Sequence, residues 1–109
     1  LCVFDECNLS ECDFRGSILE MGAPSNNAPL FFNCNLRNAN FSNLDLFEGS
    51  LFNSDLTGAD FKNSKLHDVN FGGTDLTNAD LAGSTGFNPD QPWIIFNNTT
   101  MPDGTVRTD

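Results

Sequence analysis

The side chains in this chain that could do chemistry are one histidine, four cysteines and 15 carboxylates. A histidine works as a catalyst when a nucleophile or a carboxylate is held beside it. His67 has no Ser-His-Asp spacing around it, and the chain has neither a Gly-rich phosphate loop nor a zinc signature. No catalytic residue, metal ligand or cofactor is expected. Cys2, Cys7 and Cys12 recur every five residues, with Cys34 further on. That is not the C-x-x-C spacing of a zinc site. Free cysteines pack as small apolar residues, whereas in an oxidising compartment they pair; the spacing leaves both readings open. Asn-x-Ser/Thr occurs at Asn8, Asn40, Asn97 and Asn98, as an Asn-rich chain yields by chance.

The balance of charge narrows the partners. Fifteen Asp and Glu stand against five Lys and Arg, for a net charge of −10 and a pI near 4.1. Direct binding to nucleic-acid phosphates needs clustered basic residues and is not expected. No apolar run approaches the roughly 18–20 residues of a transmembrane helix. Hydrophobic residues make up only 39% of the chain, yet 23 Phe and Leu are too many for a disordered tail. So little apolar material builds a core only if it is placed regularly. The chain opens on Leu1 with no basic segment or apolar run behind it. A processed or truncated chain is expected, and location must be read from other features.

The regularity has a period of five. Phe4, Leu9, Phe14 and Leu19 are followed, after a break, by Phe31, Leu36, Phe41, Leu46, Leu51, Leu56, Phe61, Leu66, Phe71, Leu76 and Leu81. All 15 positions hold Leu or Phe, where 23 such residues in 109 would give about three by chance. Two residues earlier the side chain is small in nearly every repeat, with Pro29 and Leu44 as exceptions. The residue just before the Leu or Phe is usually Asp or Asn. On an α-helix, five residues advance about 500°, so the large side chains would drift around the axis. On a strand, every second one would face water. A coil that turns a corner every five residues points both the large and the small position inward.

The units ANFSN (39–43), ADFKN (59–63), TDLTN (74–78) and ADLAG (79–83) resemble the pentapeptide-repeat family, with consensus A-(D/N)-L-x-x. The resemblance covers roughly residues 2–83. It implies an all-β fold, a right-handed quadrilateral β-helix with four repeats per coil and about four coils. Residues twenty apart then stack, ~4.8 Å from one another. The expected organisation is one domain over 1–109: repeats at 2–19 and 29–83, a surface loop at 20–30, and a C-terminal detour and cap over 84–109. The loop adds seven residues to one repeat step, so Leu36 is expected over Leu9 and Cys34 over Cys7. That makes Cys7 and Cys34 the candidate disulfide. Asp55 and Asp75 fall in one outward column, Asp60 and Asp80 in the next. These carboxylates either make the turns or bind a partner. Phe96 and Met101 return to the five-residue phase, and Trp93, Phe87 and Met101 are expected to cap the core.

Phe32, Phe47 and Phe52 occupy outward positions and form the candidate docking patch, unless the 20–30 loop folds over them. A filled rod has no cleft for paired carboxylates to act in, so no enzyme is expected. The ending NNTTMPDGT (97–105) is similar to that of cyanobacterial and chloroplast pentapeptide proteins of the thylakoid lumen. The resemblance therefore implies a scaffold or docking protein on the lumenal side of a photosynthetic membrane complex, such as a photosystem. Cytoplasm is the alternative location. Some family members instead imitate duplex DNA and occupy the DNA-binding saddle of type II topoisomerases. The charge of −10 suits that alternative. Four coils match only about five or six base pairs at 3.4 Å each.

Overall fold

One repeat shows how the chain bends. In residues 34–39, Leu36 points inward and its carbonyl accepts a hydrogen bond from Ala39 N at 3.1 Å, closing a four-residue turn. The third residue of that turn, Asn38, has φ of 59°, the left-handed region that Asn and Gly enter most easily. The same position recurs as Asn43, Asn53, Gly58, Asn63, Gly73, Asn78 and Gly83, all at positive φ.

The Asp or Asn before each large residue holds the corner from its other side. Asp55 Oδ1 accepts from Thr57 N at 3.0 Å, Asp60 Oδ1 from Lys62 N at 2.9 Å, and Asn40 Oδ1 from Ser42 N at 2.9 Å. These side chains close Asx turns, which Asp and Asn are short enough to make.

Between turns the backbone pairs with the next circuit. In the computed structural model, which describes residues 3–16 and 30–109, Asp45 bridges Lys65, Ser50 bridges Asn70, Asp55 bridges Asp75 and Asp60 bridges Asp80, all in parallel. Four successive bridges, each to a residue twenty further on, make a four-sided coil. Among the described residues only four segments run long enough to count as strands. β1 (Val3–Asp5) pairs in parallel with β2 (Leu30–Phe32), and β3 (Thr99–Thr100) pairs antiparallel with β4 (Val106–Arg107). Elsewhere the turns are so frequent that each wall is a single bridge.

Across the insertion the spacing changes. Asn8 bridges Asn35 and Asp13 bridges Asn40, one circuit plus seven residues. Leu9 N donates to Asn35 O at 2.8 Å, so the first coil sits squarely beneath the second. The expected loop at 20–30 lies, except for Leu30, outside the described residues.

The interior is a column of large side chains. Phe31, Phe41, Phe61, Phe71, Leu36, Leu56, Leu66, Leu76 and Leu81 are fully buried, each contributing about 1.5–3 kcal/mol by leaving water. Phe14, Phe41 and Phe61 stack face to face at centroid distances of 4.7 and 5.0 Å. Phe31 and Phe41 meet edge to face at 6.0 Å. The small position lets the turns close over this column. At two places where it is polar it bonds locally: Ser64 Oγ donates to Phe61 O at 2.6 Å and Thr74 Oγ1 to Phe71 O at 2.8 Å.

The carboxyl end closes differently from expectation. After the detour the ladder returns, with Asp75 bridging Ile95 and Asp80 bridging Thr100. Phe96 is buried, and Phe87, Ile94 and Met101 pack against the core. Trp93 does not cap it: the side chain is 78% exposed. The reason is its place in the turn. Trp93 has φ of 61° and falls where every repeat points outward. Two residues earlier, Gln91 does the inward work, its Oε1 accepting from Phe71 N at 2.7 Å. Arg107 of β4 supplies the rest of the lid, its guanidinium carbon 4.0 Å from the Phe96 ring centroid. At the amino end, Phe4, Leu9 and Phe14 are only half-buried.

Candidate docking surface

The wall that carries Leu30, Ser50 and Asn70 is in register from one coil to the next, so Phe32 lies beneath Phe52 and Phe52 beneath Gly72. Asn33 N donates to Phe52 O at 3.1 Å and Asn53 N to Gly72 O at 2.9 Å, fixing that alignment. The Phe52 ring lies against this glycine: a β-carbon there would rest 3.4 Å from Phe52 Cδ1 and Cε1, in ordinary contact. Both phenylalanines are half-buried, each keeping part of its ring at the surface. Phe47 behaves differently. It belongs to the wall with Asp45 and Lys65, and its half-buried ring packs against the core. The structure therefore brings Phe32 and Phe52 together and sets Phe47 on another face. Whether residues 20–30 cover this patch falls outside the described residues.

The acidic columns are where the stacking rule puts them, and their oxygens are in use. Asp75 Oδ1 accepts from Thr77 N at 3.0 Å and Thr77 Oγ1 at 2.6 Å, just as Asp55 does from Thr57 at 3.0 and 2.6 Å. Asp80 Oδ1 accepts from Ala82 N at 2.9 Å. Burial pushes the Asp55 carboxyl up. The Thr57 hydroxyl and amide, together with Arg37 on the coil below, outweigh that and hold it below the usual carboxylate range. Arg37 Nη1 reaches Asp55 Oδ2 at 3.1 Å. In the first coil, Arg15 holds Asp13 down to about 2 through its guanidinium and its amide. Asp13 and Asp55 are thus kept ionised as turn-makers, the opposite of what a general acid needs.

Little else offers chemistry. Among the described residues no cluster of His, Cys, Asp or Glu is placed to hold a metal ion. His67 is exposed on the wall, and its ring fills the space beside Gly86. A shallow groove of about 360 Å³ at the carboxyl end is lined by Phe87, Pro89, Met101, Pro102, Asp103 and Thr105. Its one carboxylate, Asp103, is held below its ordinary pKa by the Thr105 hydroxyl and then the Thr105 amide. Cys7, Cys12 and Cys34 are free thiols in this structure, with Cys34 deepest and pushed up by burial.

Two features of the surface went unread in the sequence. One is the left-handed position two residues after each Leu or Phe, which its run of Asn, Gly and Asp could have disclosed. The other is exposed Trp93, whose place in that same series was its signal.

A four-sided coil built on five-residue units defines a class of protein, and the comparisons agree with it. The family model for pentapeptide repeats matches eight copies, over residues 1–20 and 50–83. The chain belongs to the pentapeptide-repeat family, whose fold is the right-handed quadrilateral β-helix. It is similar in structure to QnrB1, a plasmid-mediated fluoroquinolone resistance protein, with a TM-score of 0.65 at 19% identity, over 78% of this chain and 39% of QnrB1. This chain thus spans about two fifths of that protein. It is also similar to Rfr23, a pentapeptide repeat protein from the cyanobacterium Cyanothece 51142, with a TM-score of 0.53 at 21% identity, over 99% of this chain and 88% of that one. A pentapeptide repeat protein from the Arabidopsis thaliana thylakoid lumen is 29% identical over 94% of this chain and 70% of its own, with a TM-score of 0.43. No curated protein matches the chain in sequence. No helix among the described residues is long and apolar enough to cross a membrane.

Proposed function

We propose that this protein is a non-enzymatic docking module that binds another protein through its walls, with the Phe32–Phe52 column at the centre of the contact. The observation behind this reading is that column itself: two half-buried phenylalanines in register on one wall, whose neighbouring outward positions are Asn33, Asn53 and Gly73. The interior is filled with Leu and Phe, so a ligand meets the outside. Covering what remains exposed of two half-buried rings contributes roughly 1.5–3 kcal/mol to binding, about half the value for two fully exposed side chains. The partner we assign is a subunit of a photosynthetic membrane complex, met on the lumenal side. Support for that location is the ending TMPDGT (100–105), the net charge of −10 and the cysteines. The test is fractionation of native membranes followed by affinity purification. Co-purification with thylakoid complexes is expected, and a protein found only in cytosol contradicts the assignment.

A second reading draws on the acidic columns, Asp55 with Asp75 and Asp60 with Asp80. They could imitate the phosphates of duplex DNA toward a type II topoisomerase. Each of these carboxylates already holds its own turn, which favours the docking reading. A gyrase supercoiling assay separates the two: docking through the aromatic column predicts neither inhibition nor protection.

A further inference from the structure

Cys7 and Cys34 occupy the small inward position of successive coils on one wall. Their neighbours Asn8 and Asn35 bridge in parallel, and Asn35 N donates to Cys7 O at 2.8 Å. Adjacent coils lie ~4.8 Å apart, inside the ~4.4–6.8 Å between Cα atoms that a disulfide accepts. The Cys34 thiol lies between the two coils, within donating distance of Phe4 O on the first and Phe32 O on its own, at 3.3 Å each. The Cys7 thiol lies in the first coil, donating to Asp5 O at 3.5 Å. On other columns the match fails: Cys12 lies beneath Ala39, because Asp13 bridges Asn40.

We propose that Cys7 and Cys34 form a reversible disulfide that staples the first coil to the second. The first coil is the one that gains. Phe4, Leu9 and Phe14 are half-buried, whereas their counterparts Phe31, Leu36 and Phe41 are fully buried. The segment is also joined to the body through the long connection between Gly16 and Leu30. The bond closes a ring over residues 7–34 and shortens the excursions open to the first coil.

The oxidant is a small disulfide, and oxidised glutathione serves. Cys7, partly exposed, attacks as thiolate; the glutathione S–S bond breaks, a Cys7–glutathione disulfide forms and one glutathione thiolate leaves. Cys34, buried beside it, then attacks the Cys7 sulfur as thiolate and displaces the second glutathione. Two protein thiols lose two protons and two electrons, and one oxidised glutathione becomes two reduced molecules.

The test equilibrates the full chain in glutathione buffers of graded ratio, alkylates remaining thiols and maps linked peptides by mass spectrometry. A Cys7–Cys34 linkage that survives Cys2→Ser and Cys12→Ser is expected. Amide exchange over residues 4–14 should slow at least tenfold in the oxidised form. Linkage of Cys7 to Cys2 or Cys12, full alkylation in oxidised glutathione, or exchange unchanged by oxidation would each overturn the staple.

Discussion

The side-chain oxygen of Asn53 fills the space that a β-carbon on Gly73, one circuit later, would occupy. Asn38 stands in the same relation to Gly58, and Asn63 to Gly83. The corners are therefore complementary from coil to coil, with an Asn reaching over a residue that has no side chain. Gly73 also has φ of 70°, which costs any other residue further. Gly73→Ala should destabilise the protein by about 1–3 kcal/mol. Adding Asn53→Gly should recover part of that loss, because the clash goes while the backbone strain stays. Urea unfolding of the two single variants and the double variant measures the coupling. Equal losses with and without Asn53→Gly would show that the oxygen and the missing β-carbon are unrelated.

Phe61 is the centre of the aromatic column, stacked on Phe41 at 5.0 Å and edge-on to Phe71 at 5.6 Å. Phe61→Ala removes a fully buried ring from a rod too narrow to collapse around the gap. A loss of about 3–5 kcal/mol is expected. Phe61→Leu, which keeps most of the volume and matches the residue type used elsewhere in the spine, should cost markedly less. Thermal or urea melts rank the two, and similar losses would mean that the ring contacts, rather than filled volume, carry the contribution.

The Asp55 turn makes stability depend on pH in a defined direction. Its carboxyl is held below the usual range in the folded protein. The ionised form is therefore favoured by folding, and this contribution is present above the unfolded pKa of about 3.9. It fades as pH falls through the lower folded value. Thr57→Val removes the hydroxyl bond of 2.6 Å, so the Asp55 pKa should rise and stability at pH 6 should fall. The gap between variant and parent should narrow by pH 3. Carboxyl NMR titration with urea melts at both pH values checks this; a gap that stays constant would mean that the hydroxyl acts through packing.

The spine was the most legible part of this protein. Large residues at every fifth position have one physical solution, and each of Leu36, Phe41, Leu56, Phe61 and Leu76 is fully buried as that solution demands. The Asp and Asn before them were legible as turn-makers for the same reason: a short side-chain oxygen reaches the amide two residues on. The surface was harder to read. Phe47 and Phe52 look alike in sequence, yet Phe47 is drawn against the core while Phe52 lies against Gly72. That difference depends on what stands one circuit away. Trp93 failed as a cap because it sits at the outward, left-handed position of its turn, while Gln91, in the inward series, supplies a side-chain acceptor in place of a backbone one. No local pattern announces such a replacement.

If the walls carry the function, polar replacement of the aligned pair must remove binding without disturbing the coil. The decisive measurement is affinity capture from solubilised native membranes with the parent chain and with Phe32→Ser/Phe52→Ser, alongside circular dichroism of each. The expected result is unchanged dichroism, with recovery of the co-purifying protein reduced at least tenfold. Equal recovery by a folded double variant would contradict a docking surface at this column.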